Sequence, residues 1–475
     1  MAGQQQILEG IRVLDFTQWL AGPQATRLMV DLGAEVIKVE LPPRGEHSRH
    51  IRIVPKDGKD GATPSYFVMH NRGKKSLGVD VKTPQGQALI KQLVKNVDVV
   101  FENFTPGIMA SYGLSYDELS AINPSLIMCS VSTYGQTGPY SRRIGNDLVA
   151  LGVGGFLHMI GEPDDYPAYP GSAVGDHMAA LNAFGAINAA LFHRERTGQG
   201  QYIDLALVDC TYNAHDWALA AYSITDGQVD PQRGGNQRSG AFPYGSFKSK
   251  DGYIAIGLIT EDHWVTLVTR MGREELLASP EFKTNRWRIQ NADALRVMIE
   301  EWLQSLPSDE EAIRIMADEL RLPVAPILSI GQFAENPHLS ARMIEKTPNP
   351  DYGELLLLKS PHKFSKTPPR IPGPASRLGQ HNAELLRELG GYSDEQIRDL
   401  QEQGVLVEEV SDAAPEPDGP RDRGGPGNRS GDCPAFCRRR GGYCHSRPEY
   451  GNRPGHGRGH PPARASGLCP PHRRE

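Results

Sequence analysis

Short apolar runs alternate with amphipathic stretches through the first third of the chain. "IRVLDF" (Ile11 to Phe16) has the length of a buried strand, and "QATRLMVDLG" behind it carries apolar side chains at helical spacing. Between them, "TQWLAGP" supplies Gly22 for a turn and Pro23 for a first helical position, and Gly33 ends the helix. "AEVIKVE" then reads as the next strand. The alternation continues through "SLGVDV", "TPQGQALIKQLVKNV", "DVVFENF" and "SLIMCSVSTYG", with Thr83 as helix N-cap and Pro84 at the first helical position. This order predicts an α/β fold whose mostly parallel sheet is covered by helices. Ligands of such sheets bind beyond the carboxyl ends of the strands, which here are "TQWLAGP" and "ENFTPG".

Around Tyr244 the period changes. "YGSFKSKDGYIAIGLI" alternates as two strands joined at Asp251-Gly252, a hairpin signal. Three amphipathic helical segments follow, one opened by a capping box of Ser308 and Glu311. The division is therefore a first domain over 1–224, a small α+β domain over 225–330, and a further segment of strand, loop and short helices over 331–408. The last segment, 409–475, is rich in Pro, Gly, Arg, Cys and His with almost no aliphatic residues, so it is expected to be disordered.

Composition narrows the class. The chain has 475 residues with 39% hydrophobic and 23% charged residues, as in a soluble multi-domain protein. Its net charge of −6 argues against nucleic acid or an anionic membrane as partner. No apolar run approaches the roughly 20 residues that span a bilayer. "MAGQQQILEG" lacks the features of a secretory signal, so a cytoplasmic location is expected. Of six cysteines, Cys129 and Cys210 lie in apolar stretches as buried thiols. Cys433, Cys437, Cys444 and Cys469 match no standard zinc spacing, and no metal is expected.

One carboxylate stands out. Asp176 in "AVGDHMAALNAFGAINAALFHRER" precedes a helix rich in small residues. It suits a helix N-cap, and the donors of a helix start would also keep it ionised and accessible, as a nucleophile must be. Composition leaves both readings open. His177 points elsewhere and reads as a packing or surface histidine. "GVGGF" (Gly152 to Phe156) lacks the full dinucleotide fingerprint. "NRGKKS" (Asn71 to Ser76) places basic residues just before a strand, as solvated surface or as a phosphate grip.

Several longer stretches decide more. "LEGIRVLDFTQWLAGPQATRLMVDLGAEVIKVE", "NRGKKSLGVDVKTPQG", "VDVVFENFTPG", "VGDHMAALNAFGAINAALFHRERTGQGQYIDLAL" and "LGQHNAELLRELG" resemble the family III coenzyme A transferases. The resemblance runs in order from about residue 8 to 406 and leaves out the tail. It implies a Rossmann-like large domain built from both chain ends, a smaller middle domain, and a homodimer of two interlocked chains. It implies acyl-CoA:carboxylate CoA transfer, with Asp176 attacking the thioester and passing through an aspartyl anhydride and an aspartyl-CoA thioester. The coenzyme A thioester is then a substrate, with no tightly bound cofactor; the partners are an acyl-CoA donor and a carboxylic acid acceptor.

Carried over residue by residue, the resemblance assigns coenzyme A contacts to Thr17, Gln18, Ala21, Asn71, Lys74, Lys75, Asn103, Arg142 and Arg143. Racemases that share the fold carry a His-Asp pair where this chain has Asn146-Asp147. Without that imidazole, α-proton exchange lacks one of its two acid/base partners, so racemisation is the alternative reading. A third alternative is a non-catalytic CoA-binding protein. The oxalate enzyme's glycine run is interrupted here by Arg238 and Ser239 in "RGGNQRSGAFPYG". An acid larger than oxalate is expected, with a second carboxylate on Arg238. Asp147, Arg238, Ser239 and Gly240 are the candidate contacts to that acid.

Overall fold

The computed structural model describes residues 5–51, 62–237 and 240–408. Six short strands form one parallel sheet: β1 (Arg12–Asp15), β2 (Glu35–Glu40), β3 (Lys75–Gly78), β4 (Val99–Glu102), β5 (Ile127–Ser132) and β6 (Tyr202–Ala206). Their spatial order is β3-β2-β1-β4-β5-β6. The direction of winding thus reverses between β1 and β4, where the loops leaving neighbouring strands diverge and open a crevice.

Successive strand residues face opposite ways, so each strand feeds two cores. Leu14, Ile37, Leu77, Val100 and Met128 pack on one face with Leu89, Leu93 and Leu119. Val13, Val36, Val99, Phe101, Ile127 and Cys129 pack on the other with Ala25, Met29, Ala180, Ala183 and Ile187. The helix Val174–Thr197 contributes alanines to this second core, which lets its backbone lie close over the strands. Leu385, Leu386, Leu389, Ile397 and Leu406 belong to the first core, so the C-terminal part completes the large body. A bridge between Val79 and Leu406 and a hydrogen bond from the Val407 N–H to the Gly78 carbonyl (3.0 Å) fix it there.

The middle of the chain builds its own core. β7 (Tyr244–Lys248) and β8 (Tyr253–Gly257) form the expected antiparallel hairpin, extended by β9 (Val324–Pro326). Phe242, Phe247, Ile254, Trp264, Leu267, Leu295, Ile299 and Met316 fill the space between this sheet and its helices. β10 (Ile344–Asn349) and β11 (Gly353–Leu358) form a separate hairpin. Among the described residues no helix is long and apolar enough to cross a membrane.

Local expectations were met unevenly. Thr83 caps the helix Pro84–Val94 with Pro84 at its first position. Pro23 lies two residues inside the helix Ala21–Asp31, because Ala21 and Gly22 already turn helically. Ser308 caps the N–H of Glu311, but the reciprocal half of a capping box is missing. The Glu311 carboxylate instead pairs with Arg314 at 2.7 Å, a charged partner on the next turn. Cys129 and Cys210 are free and buried. The segment 409–475, with its four cysteines, lies outside the described residues.

Candidate active site

Beyond the carboxyl ends of β1, β4 and β5 lies a cavity of about 550 Å³. Trp19 and Ala21 from the β1 loop, Asn103 after β4, and Ser132 and Thr133 at the end of β5 line it. Asn146, Asp147, Tyr66, Tyr169 and Asp176 complete the wall. A narrower pocket of about 80 Å³ shares Asn103, Ser132, Thr133 and Gly145 with it and ends on Arg143.

The crevice has a rigid floor. Asp15, at the end of β1, accepts hydrogen bonds from the Thr17 N–H (2.9 Å), the Thr26 hydroxyl (2.7 Å) and Lys74 Nζ (2.9 Å). Burial would raise its pKa, but Lys38 and Lys74 outweigh that and hold the carboxyl well below the usual range. Lys38 also donates to the Thr17 carbonyl. Gly22 lets the following helix start against this loop, since a Cβ there would lie 2.2 Å from the Thr17 side chain. Trp19 takes a left-handed backbone (φ 66°), an uncommon state for an aromatic residue, and its N–H donates to Glu46 Oε1 at 2.8 Å. Its indole stacks on His47 and remains 47% exposed at the cavity.

Asp176 sits in the first turn of the helix Val174–Thr197, three residues after the capping position, which is Ala173. It is therefore not the N-cap. Its N–H donates to Asp147 Oδ1 at 3.0 Å, so a second, neighbouring carboxylate of the cavity wall takes up this N–H of the helix start. Asp147 Oδ2 accepts from the Tyr169 hydroxyl at 3.1 Å. Gly175 allows this approach: a Cβ there would meet Asp147 Oδ1 at 3.0 Å. Asp147 in turn opens the helix Asp147–Val153, whose N-cap Asn146 accepts from the Val149 N–H.

Among the described residues, no hydrogen bond to the Asp176 carboxylate is formed. Burial, and then the negative charge of Asp147, push its pKa up to about 7. The expectation that helix donors would keep it fully ionised is thus corrected: its own N–H is spent on Asp147. The Tyr66 hydroxyl, raised to about 12 by burial and by Asp176, stays protonated at the cavity wall as a donor.

The structure brings together only part of the expected set. Asp176, Asp147, Ala21 and Asn103 line the cavity, and Arg143 lines the pocket beside it, stacked 3.6 Å above the Tyr140 ring. Arg142 is exposed on the same loop and lines neither. Thr17 and Gln18 lie under the wall; Asn103 exchanges hydrogen bonds with the Gln18 backbone at 2.7 and 2.9 Å. Lys74 is a correction. Its ammonium is buried, and Asp15, the Pro23 carbonyl and Asn71 Oδ1 take all three of its donors. Asn71 is likewise consumed, donating to Glu46 at 3.1 Å. Lys75 leaves β3 in the other direction and pairs with Glu35 and Glu384. None of these three lines the cavity.

Gly240 is in the small domain, where its carbonyl accepts from Asn285, and is not part of the cavity wall. Arg238 and Ser239 lie outside the described residues. His177 turns away from Asp176's cavity into a separate space beside His70. The sequence reading missed Trp19, Tyr66, Ser132 and Tyr169. Trp19 stood within the loop after β1, and an aromatic residue at that place was a usable signal.

The chain is similar to known proteins over most of its length. The model of CoA-transferase family III matches residues 8–382. Succinyl-CoA:glutarate CoA-transferase from Homo sapiens is 35% identical over 401 residues, 84% of this chain and 90% of that protein. Succinyl-CoA:mesaconate CoA-transferase from Haloarcula hispanica is 38% identical over 390 residues, covering 81% and 96%. A crystal structure of a CAIB/BAIF family protein from Brucella suis superposes with a TM-score of 0.72 at 34% identity, over 81% of this chain and 100% of that one. With its parallel sheet, its crevice at the winding reversal and these matches along the same span, the chain belongs to CoA-transferase family III and is an enzyme of that family.

Proposed function

We propose that this enzyme moves CoA from succinyl-CoA to a dicarboxylic acid, with Asp176 as the covalent carrier. One observation carries the reading: Asp176 is a carboxylate at the cavity wall that accepts no hydrogen bond from the described residues, beside a second carboxylate whose two oxygens each accept one. The acid class rests on the relatives, which are named for succinyl-CoA with glutarate or mesaconate.

The chemistry follows from the carboxylate. An Asp176 oxygen attacks the thioester carbonyl; the C–S bond breaks, leaving a mixed anhydride and CoA thiolate. The thiolate attacks the aspartyl carbonyl of the anhydride, displacing succinate and forming an aspartyl-CoA thioester. The acceptor carboxylate attacks that carbonyl and expels the thiolate, which then attacks the acceptor's acyl carbon and frees Asp176. Every bond broken is replaced by one of similar activation, so no water or external energy source enters. A carboxyl poised near 7 is about half ionised at neutral pH and more nucleophilic than an ordinary aspartate.

The wall between the two pockets suits the pantetheine arm, with Arg143 toward the phosphates and Ala21 and Asn103 along the path. Arg238 and Ser239 retain their assignment to the acceptor acid; Gly240, outside the cavity wall, is left out of it. The strand order supports a Rossmann-like large domain; domain bounds at 224, 330 and 408 and an interlocked homodimer complete the proposal. The test is incubation of the enzyme with succinyl-CoA and glutarate or mesaconate in deuterated water. New dicarboxylyl-CoA without deuterium in the donor is the expected result. In a parallel incubation with a chiral 2-methylacyl-CoA and no acceptor, deuterium at its α-carbon, together with no new thioester from succinyl-CoA, would replace this reading by racemisation.

A further inference from the structure

Asp31, the last residue of the helix Ala21–Asp31, is shared by two guanidiniums. Arg27 Nη1 donates to its Oδ2 at 2.8 Å, and Arg72 donates to both of its oxygens, at 2.5 and 3.0 Å. All three side chains are buried. Among the described residues no second carboxylate pairs with either arginine, so the triad holds one excess positive charge inside the protein. Burial, opposed by Asp31 and reinforced by Arg72, brings the Arg27 pKa down to about 10. A buried charge without its full complement of anions is costly, and the cost is relieved when an anion joins it.

Arg27 faces a place where one can. A pocket of about 240 Å³ lies between Arg27, Gln24, Met69, His70 and His177, and Tyr66 lines both this pocket and the Asp176 cavity. Arg27 is 5% exposed. Its Nε donates to Gln24 Oε1 at 3.2 Å, but its Nη2 forms no hydrogen bond among the described residues and is not sealed in by the fold. The same Gln24 oxygen meets His70 Nδ1 at 3.2 Å, which leaves the Gln24 amide N–H groups to donate. Both imidazoles are uncharged at neutral pH: burial, and then the charge of Arg27, bring His70 to about 3 and lower His177 as well. Arg27 is thus the one charged residue of this lining, and Met69 and Leu358 give it an apolar side.

A carboxylate on a short methylene chain matches these walls, with its planar oxygens on the guanidinium and its chain on the apolar side. The neighbouring cavity supplies such a group. A dicarboxylic acid joined to Asp176 through one carboxyl carries its other carboxylate past a side chain's width, and Tyr66 is the side chain that stands between. We infer that the pocket behind Tyr66 receives the distal carboxylate of the dicarboxylic acid, with Arg27 as its counter-ion. The inference rests on the dicarboxylate reading above and adds the residue that tells a diacid from a monoacid. It is a different grip from the one assigned to Arg238.

The test follows exchange of CoA from succinyl-CoA into isotopically labelled succinate and into succinate monoamide, which keeps the shape and loses the second charge. Wild type is compared with Arg27→Gln, Arg27→Lys, Met69→Trp and Arg238→Ala, with CoA binding by calorimetry and melting of each. Wild type should favour succinate at least tenfold in kcat/KM for the acceptor. Arg27→Gln should bring the two acids to near equality through loss on succinate alone, and Arg27→Lys should restore part of the preference. Met69→Trp fills the pocket without touching the triad, so it decides the matter even if Arg27→Gln does not fold. It should raise KM for both acids about tenfold at unchanged CoA affinity. Wild type that does not discriminate, Arg27→Gln that keeps the wild-type preference, or Met69→Trp with unchanged KM would overturn the inference. Loss of the preference in Arg238→Ala alone would move the contact there and overturn it equally. Wild type that passes CoA to neither acid would instead overturn the function proposed above.

Discussion

Asp147 holds Asp176 by the backbone while leaving its side chain alone: Oδ1 of Asp147 accepts the Asp176 N–H at 3.0 Å, and among the described residues no hydrogen bond reaches the Asp176 carboxylate. Tyr169 occupies the other oxygen of Asp147 at 3.1 Å. The two carboxylates are thereby unequal. One is tied to two donors and caps a helix; the other is half-buried, bare, and carries a pKa pushed up to about 7 by burial and by its neighbour's charge. This is a way to set a nucleophile in the same small space as an anion that does not react.

Removing that neighbouring charge should shift the reaction's pH dependence. Asp147→Asn can keep a carbonyl oxygen for the Asp176 N–H while losing the negative charge. The midpoint at which kcat/KM rises with pH should fall below its value near 7 while staying above that of an ordinary aspartate, because burial, the larger cause, remains. A pH profile of CoA transfer checks this, and an unmoved midpoint would contradict the coupling.

Asp176 should also tax the fold at alkaline pH. Its pKa is raised from 3.8 to about 7, so the folded chain holds the proton more tightly than the unfolded chain. The stability this confers is complete below about pH 4 and is lost as pH climbs through 7. Asp176→Asn should therefore be more stable than wild type at pH 8, by about 1–3 kcal/mol, and closely matched to it at acid pH. Urea unfolding at the two pH values reads the difference.

Gly175 should tolerate no side chain without cost to the rate. An alanine Cβ would lie 3.0 Å from Asp147 Oδ1 and 3.2 Å from Thr211 Cγ2, so Asp147 must shift. Gly175→Ala is expected to lower kcat about tenfold with roughly 1 kcal/mol lost in stability. Transfer kinetics beside a melting curve separate the two effects.

Lys74 and Arg143 should behave oppositely. Lys74→Met strips a buried partner from Asp15 and should cost about 3–5 kcal/mol of stability. Arg143→Ala removes an exposed guanidinium at the narrow pocket; it should raise KM for the CoA donor about tenfold and leave unfolding unchanged. Denaturation and donor titration of both variants decide it.

What could be read from the chain before folding depended on range. The alternation of "IRVLDF", "AEVIKVE" and their successors records which residues are buried on both sheet faces, so the parallel sheet and its crevice were legible. The Asp251-Gly252 hairpin was legible for the same local reason. Lys74 was not. Two adjacent lysines look alike in sequence, and only the register of β3 sends one inward to Asp15 and the other out to Glu35. The capping of Asp176's helix by Asp147 was hidden too, because a bond between residues 29 positions apart leaves no periodicity. Tyr66 reaches the cavity from the short helix Ser65–Asn71 and Tyr169 from a loop, and nothing in their immediate neighbours marks them.

The most direct measurement is mass spectrometry of the enzyme mixed with succinyl-CoA and no acceptor, then quenched and digested. The account predicts a peptide containing Asp176 that carries CoA in thioester linkage and is converted by hydroxylamine to the hydroxamate. An adduct on another residue, or CoA transfer at the wild-type rate by Asp176→Ala, would contradict it.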